Sequence, residues 1–257
     1  MVELWLPYGD TEVCFSLPQE NLIGVLMPRE AEAAENPEAE VERALRSPIG
    51  SKRLSEIAGR GDRVAIAVDD HTRPVPTKLI LGPLLRELEE AGVRDSDVTI
   101  IFACGTHRPV SEEEARAILG EDVLTRYRAI SHDCKAPDLV EVGTTSFGNK
   151  VLVNRAFAEA DVKVLTGDIS LHYYAGYGGG RKSVLPGLCG LKTIQRNHAM
   201  LLNPNARPGN LEGNPIHQDM TEAARLAGVD FIINVVLNAK KQIVKAFAGD
   251  LEEAFME

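Results

Sequence analysis

The chain has 257 residues, 44% hydrophobic and 26% charged, the make-up of an ordinary globular protein with room for one large domain or two modest ones. Its formal net charge of -10 lacks the basic footprint of a nucleic-acid binder, so no nucleic-acid partner is expected. The four cysteines, Cys14, Cys104, Cys134 and Cys189, form no C-x-x-C pair, which excludes zinc-ribbon and thioredoxin chemistry and fits a reducing cytoplasm. No apolar run reaches membrane-spanning length, and MVELWLPYGDTEV at the amino terminus carries charge too early for a signal peptide. No membrane partner is expected.

Residues 2–6 and 12–16 read as short strands around a Tyr8-Gly9-Asp10 turn, and Asn21 to Met27 as another. Pro37 to Arg46 reads as a helix, with Asn36 as N-cap and Pro37 at the first position. Ser51 to Ala58 is a second, short helix. The first strong strand is Arg63 to Val68, nearly all apolar, as a strand covered on both faces should be. A helix follows Pro76 and runs to Glu90. Val98 to Ala103 is a second buried strand, and Glu112 to Leu119 a helix. Arg126 to Ser131, Leu139 to Gly143, Lys150 to Val153 and Val162 to Ile169 read as strands. Pro215 to Ala227 is helical, and Phe231 to Leu237 with Ile243 to Ala248 suggests a hairpin across Asn238. Alternating strands and helices predict an α/β fold, a mainly parallel sheet flanked by helices in Rossmann-like fashion, with a small β-rich amino-terminal segment. Residues 1–257 are expected to form one domain. Asp250 to Glu257 reads as the first turns of a helix with Asp250 as N-cap, so the chain is expected to stop as a new element begins.

Three segments after buried strands carry the chemistry. In open α/β sheets ligands bind at the carboxyl ends of strands, so these loops should converge. The first, Asp69-Asp70-His71-Thr72-Arg73-Pro74, offers Arg73 as a bidentate clamp for a carboxylate and Asp70 as a group that orients a His or Arg. The plainer alternative is a helix N-cap with a surface ion pair. The second, Cys104-Gly105-Thr106-His107-Arg108, offers His107 as acid or base at neutral pH, or else a solvent-exposed loop histidine. Cys104 reads as a core residue. A hydrolase pairing it with His107 is disfavoured, because neighbours on one loop seldom reach nucleophile–base geometry.

The third segment, Leu171 to Ser183, is LHYYAGYGGGRKS, with Asn197-His198 downstream. Arg181 stands where both a P-loop and a G-x-G-x-x-G fingerprint need glycine, so both fail. A glycine-rich anion nest remains. Lys182 in such a pocket is an activated amine if desolvated beside Arg181. Read alone, His172 is equally a structural residue and His198 a helix-face histidine. No pair of histidines has H-x-x-x-H zinc spacing, and His132 and His217 read as peripheral. Two histidines on separate loops, with an arginine for a carboxylate, suit inversion at a carbon α to that carboxylate. Inversion by hydride transfer implies a cofactor, since no side chain accepts hydride.

The segments DDHTRP, GTHRP and LHYYAGYGGGRKSVLPGL, with NHAM downstream, closely resemble the nickel-dependent lactate racemase family. The resemblance runs from the first strong strand onward. It implies a nickel-pincer nucleotide, a pyridinium mononucleotide with two sulfur arms, tethered covalently to Lys182. It implies that His198 ligates nickel, that Gly176, Gly178, Gly179, Gly180 and Arg181 lie at the cofactor, and that Asp70 and Arg73 serve a small 2-hydroxy acid. His107 and His172 would act as acid and base on opposite faces. One would remove the hydroxyl proton as the α-hydride moves to the cofactor, and the other would donate a proton when hydride returns to the opposite face. Square-planar nickel with sulfur donors and one imidazole suits that metal. Cofactor-synthesis proteins are the implied loading partners. Family members are longer, with a further carboxy-terminal domain that the resemblance leaves without a counterpart here. The alternative expectation is a non-catalytic nucleotide- or anion-binding domain, or an inactive fragment of such an enzyme.

Overall fold

The computed structural model describes residues 1–9, 11–26 and 30–257. They form two compact units, Met1–Ala31 and Glu32–Glu257. The first unit is an antiparallel hairpin of β1 (Val2–Tyr8) and β2 (Thr11–Leu17), in register from Val2↔Leu17 to Tyr8↔Thr11. Asp10 of the expected turn lies outside the described residues. The strand expected over Asn21–Met27 does not form. Gln19–Asn21 is a 3-10 turn, residues 22–26 have no regular structure, and Met27 lies outside the described residues. Among the described residues the apolar run there pairs with neither β1 nor β2.

The second unit is built on a six-stranded sheet. Its members are β3 (Val64–Val68), β4 (Val98–Phe102), β5 (Arg128–Ser131), β8 (Val162–Asp168), β11 (Phe231–Leu237) and β12 (Ile243–Gly249). Their order is β12-β11-β8-β3-β4-β5, parallel except for the β11–β12 hairpin. The expected parallel α/β architecture is thus the one observed. Two short hairpins lie outside this sheet. Strands β6 (Val140–Thr144) and β7 (Lys150–Val153) pair with each other, Val153 also bridging to Cys189, and β9 (Leu171–His172) pairs with β10 (Gly176–Tyr177).

The strand period of two divides the core. Val64, Ile66 and Val68 pack into one cluster with α1 (Pro37–Arg46), α2 (Leu54–Ile57), α3 (Thr77–Glu90) and α4 (Glu112–Leu119). Ala65 and Ala67 pack on the other side with α6 (Arg155–Ala158), α7 (Leu191–His198), α8 (Pro215–Leu226) and α9 (Glu253–Met256). The helix ends follow their caps. Asn36 accepts from the Ala39 amide, Ser111 and Glu114 form a reciprocal box, and Asn214 accepts from the Ile216 and His217 amides. The expected helix over 51–58 shortens to α2. The chain also makes α5 (Glu121–Arg126), which the sequence pattern did not predict. Asp250 accepts from the Glu252 and Glu253 amides at the start of α9.

One buried carboxylate ties three elements together. Asp219 on α8 is fully buried and accepts from Thr145 Oγ1 at 2.6 Å, Asn149 Nδ2 at 2.8 Å and Asn197 Nδ2 at 2.8 Å. Asn149 stands just before β7 and Asn197 on the last turn of α7, beside His198. Asp219→Ala should strand these donors and cost about 3 kcal/mol or more, read as a lower urea midpoint with an unchanged slope.

Candidate active site

The chain runs β3 to β4 to β5 in one direction, then returns to the other side of β3 with β8. The strand order therefore reverses at the β3–β8 pair, and loops leaving the carboxyl ends of these two strands diverge. A cleft of about 430 Å³ opens there. It is lined from the β3 loop by Asp69, Asp70 and Arg73, and from the β4 loop by Cys104 to His107. From beyond β8 come Asp168, His172, Tyr174, Gly178, Gly179 and Lys182, with His198 from the end of α7.

The β4 loop is a tight turn. The His107 amide donates to the Cys104 carbonyl at 2.8 Å, and Gly105 sits at φ +55 with its amide on the Gly187 carbonyl. This turn aims His107 back at the β3 loop, where its Nδ1 meets Asp70 Oδ2 at 2.6 Å. Asp70 is 3% exposed. Its other oxygen accepts from the Thr72 amide at 3.0 Å and the Thr72 hydroxyl at 2.6 Å. Burial pushes the Asp70 carboxyl up, but Thr72 and His107 outweigh it and hold it below the ordinary carboxylate value. Cys104 is buried and its thiol is pushed up to about 11, by desolvation first and then by Asp70, which leaves it a poor nucleophile at neutral pH.

His172 lies on β9. Its Nδ1 accepts from the Ala175 amide at 3.2 Å, with the Tyr174 amide at 3.5 Å. Tyr173 stacks on the ring at 4.8 Å, and Tyr174 stands edge-on at 4.5 Å. The same Tyr174 also meets the His198 ring at 5.1 Å. Burial, and then the charges of Lys182 and Arg73, push His172 down to about 3. His198 is lowered as well, mainly by burial, against a backbone interaction with Ile194 that works the other way.

The Lys182 amine, unlike its backbone, makes no hydrogen bond or ion pair among the described residues. Desolvation, then Arg73 and Arg181, push its amine down to about 7, while Asp69 and Asp168 pull the other way. Asp69 shifts in the opposite direction, up to about 7, by burial and then by Asp168; its Oδ2 is buried and unpartnered. A carboxyl and an amine that titrate close together in one cleft make a site for proton exchange. Asp69 and Asp168 were the residues that sequence reasoning passed over. Their signal was position at the ends of two adjacent strands.

Gly176, Gly180 and Arg181 do not line the cleft. Arg181 is 1% exposed and turned inward. It donates to the carbonyls of Ala175, Tyr177, Gly178 and Gly179 at 3.1–3.5 Å, and its guanidinium lies 4.2 Å over the Phe255 ring. The glycine-rich segment is thus wrapped around a buried cation. The amides of Gly178 and Gly180 are used internally, on the Ser170 carbonyl and Asn234 Oδ1, so they do not form an open anion nest. Gly179 sits at φ +75, where a Cβ would come 2.6 Å from Ile169 and 2.9 Å from Asn234. His132 is buried against the Cys189 carbonyl, and His217 stacks on Phe255, both away from the cleft.

Residues 8–209 match the family described as the lactate racemase N-terminal domain. The chain belongs to this family. It is 39% identical over 262 residues to a lactate racemase from Thermoanaerobacterium thermosaccharolyticum, an alignment that covers 100% of this chain and 61% of that relative. Against a lactate racemase of Lactiplantibacillus plantarum the identity is 40% over 260 residues, with 99% and 61% covered. The lactate racemase apoprotein structure from T. thermosaccharolyticum superposes with a TM-score of 0.85 at 38% identity, covering 99% of this chain and 60% of that one. A crystal structure of a Thermotoga maritima protein shares the fold, with a TM-score of 0.70 at 24% identity over 86% of this chain and 58% of that chain. The chain spans 61% of the length of both curated lactate racemases. No helix among the described residues is long and apolar enough to cross a membrane.

Two outcomes follow from this geometry. An amine-reactive probe should label Lys182 at a rate that rises through about pH 7, because its proton is already destabilised there, whereas ordinary lysines near 10.4 become reactive well above that. Peptide mapping at a series of pH values reads this directly. Arg181→Met leaves four carbonyls without their donor and should cost about 3 kcal/mol, measurable by urea unfolding.

Proposed function

We propose that the cleft racemises or epimerises a 2-hydroxy acid, lactate or a close relative, with a nickel-pincer nucleotide tethered to Lys182. The observation that carries this reading is the convergence of Arg73, His107, His172, Lys182 and His198 on one cleft at the point where the strand order reverses. Relatives named lactate racemase match along the whole chain.

The residues present fit such a group. The Lys182 amine is unpaired and its proton destabilised, as a nucleophile for covalent attachment needs. Burial holds His198 toward its neutral form, and a neutral imidazole with a free lone pair is a nickel ligand. Among the described residues no cluster of three His, Cys, Asp or Glu side chains is arranged to hold a metal. Donors beyond His198 would therefore come from the sulfur arms of the cofactor. Gly178 and Gly179 line the space beside Lys182. When bound, that group supplies a reversible hydride-accepting carbon, chemistry that no side chain offers.

The chain's own groups do the rest. Arg73 binds the substrate carboxylate through its planar fork. Asp70, held by Thr72, fixes the His107 ring and stabilises positive charge on it. His172 stays neutral at physiological pH because burial and nearby cations oppose a second proton. Tyr174, buried and edge-on to the ring, and Tyr173, stacked on it from the surface, hold the His172 ring in place.

Protein co-produced with a pincer-synthesis pathway should carry a nucleotide-sized adduct on Lys182 together with nickel, and should interconvert the enantiomers of a 2-hydroxy acid. His107→Ala and His172→Ala should keep the adduct and lose at least about 100-fold in rate, the usual worth of a general acid or base. An unmodified Lys182 under those conditions, by intact mass, overturns the reading in favour of a non-catalytic binding domain.

A further inference from the structure

Of the three histidines that line the cleft, His107 and His172 are held by opposite kinds of partner at the same ring atom. His107 Nδ1 meets Asp70 Oδ2 at 2.6 Å. An ionised carboxylate only accepts, so this nitrogen carries the proton. His172 Nδ1 meets the backbone amides of Ala175 at 3.2 Å and Tyr174 at 3.5 Å. A backbone amide only donates, so this nitrogen is bare. From these contacts we infer that His107 and His172 rest as opposite tautomers, so that His107 offers a lone pair at Nε2 while His172 offers an N–H there. This deepens, and rests on, the reading of the cleft as a racemase site.

The assignment of His172 is doubly constrained. Tyr173 stacks on one face of its ring and Tyr174 meets it edge-on, which restricts a flip that would put Cδ2 in place of Nδ1. Burial, with Lys182, Arg73, His198 and Arg181 around it, opposes the imidazolium that would carry protons on both. A neutral ring whose Nδ1 is engaged as acceptor keeps its single proton on Nε2.

The consequence is a built-in direction of proton flow. His107 Nε2 is the atom that receives the hydroxyl proton of a bound 2-hydroxy acid. The O–H electron pair stays on the substrate oxygen, and Asp70 balances the imidazolium formed. His172 enters as a hydrogen-bond donor to an oxygen on its side of the cleft. For His172 to act as a base, its proton must first move to Nδ1, which breaks the Ala175 contact. The two faces of the substrate are therefore served by chemically unequal groups. Asp70 and the Tyr174–Ala175 backbone are the positioning elements that make them so.

Apoprotein labelled with ¹⁵N-histidine tests this without any cofactor. Two-bond ¹H–¹⁵N correlations in mildly alkaline buffer report the tautomer of each ring, with His107→Gln and His172→Gln supplying the assignments. The expected result is an Nε2–H ring at His172 and an Nδ1–H ring at His107. In Asp70→Asn the His107 preference should weaken or reverse, while His172 stays as it was. An Nδ1–H ring at His172, an Nε2–H ring at His107, or an unmoved His107 in Asp70→Asn overturns the inference. The test is separate from that of the function: opposite tautomers in a protein that racemises nothing sink only the racemase reading. Racemisation by a protein with matching tautomers sinks only this inference.

Discussion

The pairing of β3 with β8 is the constraint on which the rest depends. Val64 to Ala67 align with Val162 to Leu165, and the chain leaves this pair in two directions. A right-handed crossover on each side carries the following helices to opposite faces of the sheet, so a crevice must open above the two carboxyl ends. Asp69 and Asp70 follow β3 directly, and Asp168 ends β8. The carboxylates thus reach the cleft floor through backbone geometry alone, before any side chain chooses a rotamer.

Those carboxylates and the cations beside them then set each other's protonation. Burial works against charge on Asp69 and on Lys182 alike, and it drives their titrations together, both to about 7. Neither group is neutralised by a direct partner of its own. The cleft therefore opposes full charge on both groups at once. Asp70 is the contrasting case. It is as deeply placed, yet three donors satisfy it and keep it ionised. The same residue type, one position apart, serves as a fixed negative charge or as a proton-sharing group according to what surrounds it.

The glycine-rich segment shows a second division of labour. Arg181 stands beside Lys182 in sequence, but the 3-10 turn Gly180–Ser183 sends the two side chains apart. Arg181 goes inward to gather four carbonyls, and Lys182 lines the cleft. The glycines are small because the loop wraps a buried guanidinium and presses on Ile169 and Asn234, rather than because it cradles an anion on free amides. Phe255, on the last helix, completes this wrapping through its contact with Arg181.

Local signals in the sequence determined the elements. Asn36 with Pro37, Ser111 with Glu114, and Asn214 with Pro215 mark helix starts because their side chains satisfy amides that the helix itself leaves open. The apolar run of β3 and the largely apolar β4 and β8 announce a sheet buried on both faces, and the segments after them name Arg73, His107, His172, Lys182 and His198. Tertiary structure alone decided what those residues face. The run over residues 21–26 is as apolar as a strand but finds no ladder among the described residues, and β6–β7 form a hairpin outside the main sheet, because strand pairing depends on partners distant in sequence. Arg181 reads as a cleft cation, yet burial and four carbonyls make it a scaffold. Asp69 reads like Asp70, and only the surrounding field separates them. Charge and spacing are written locally, whereas burial and partners exist only once the sheet has brought distant loops together.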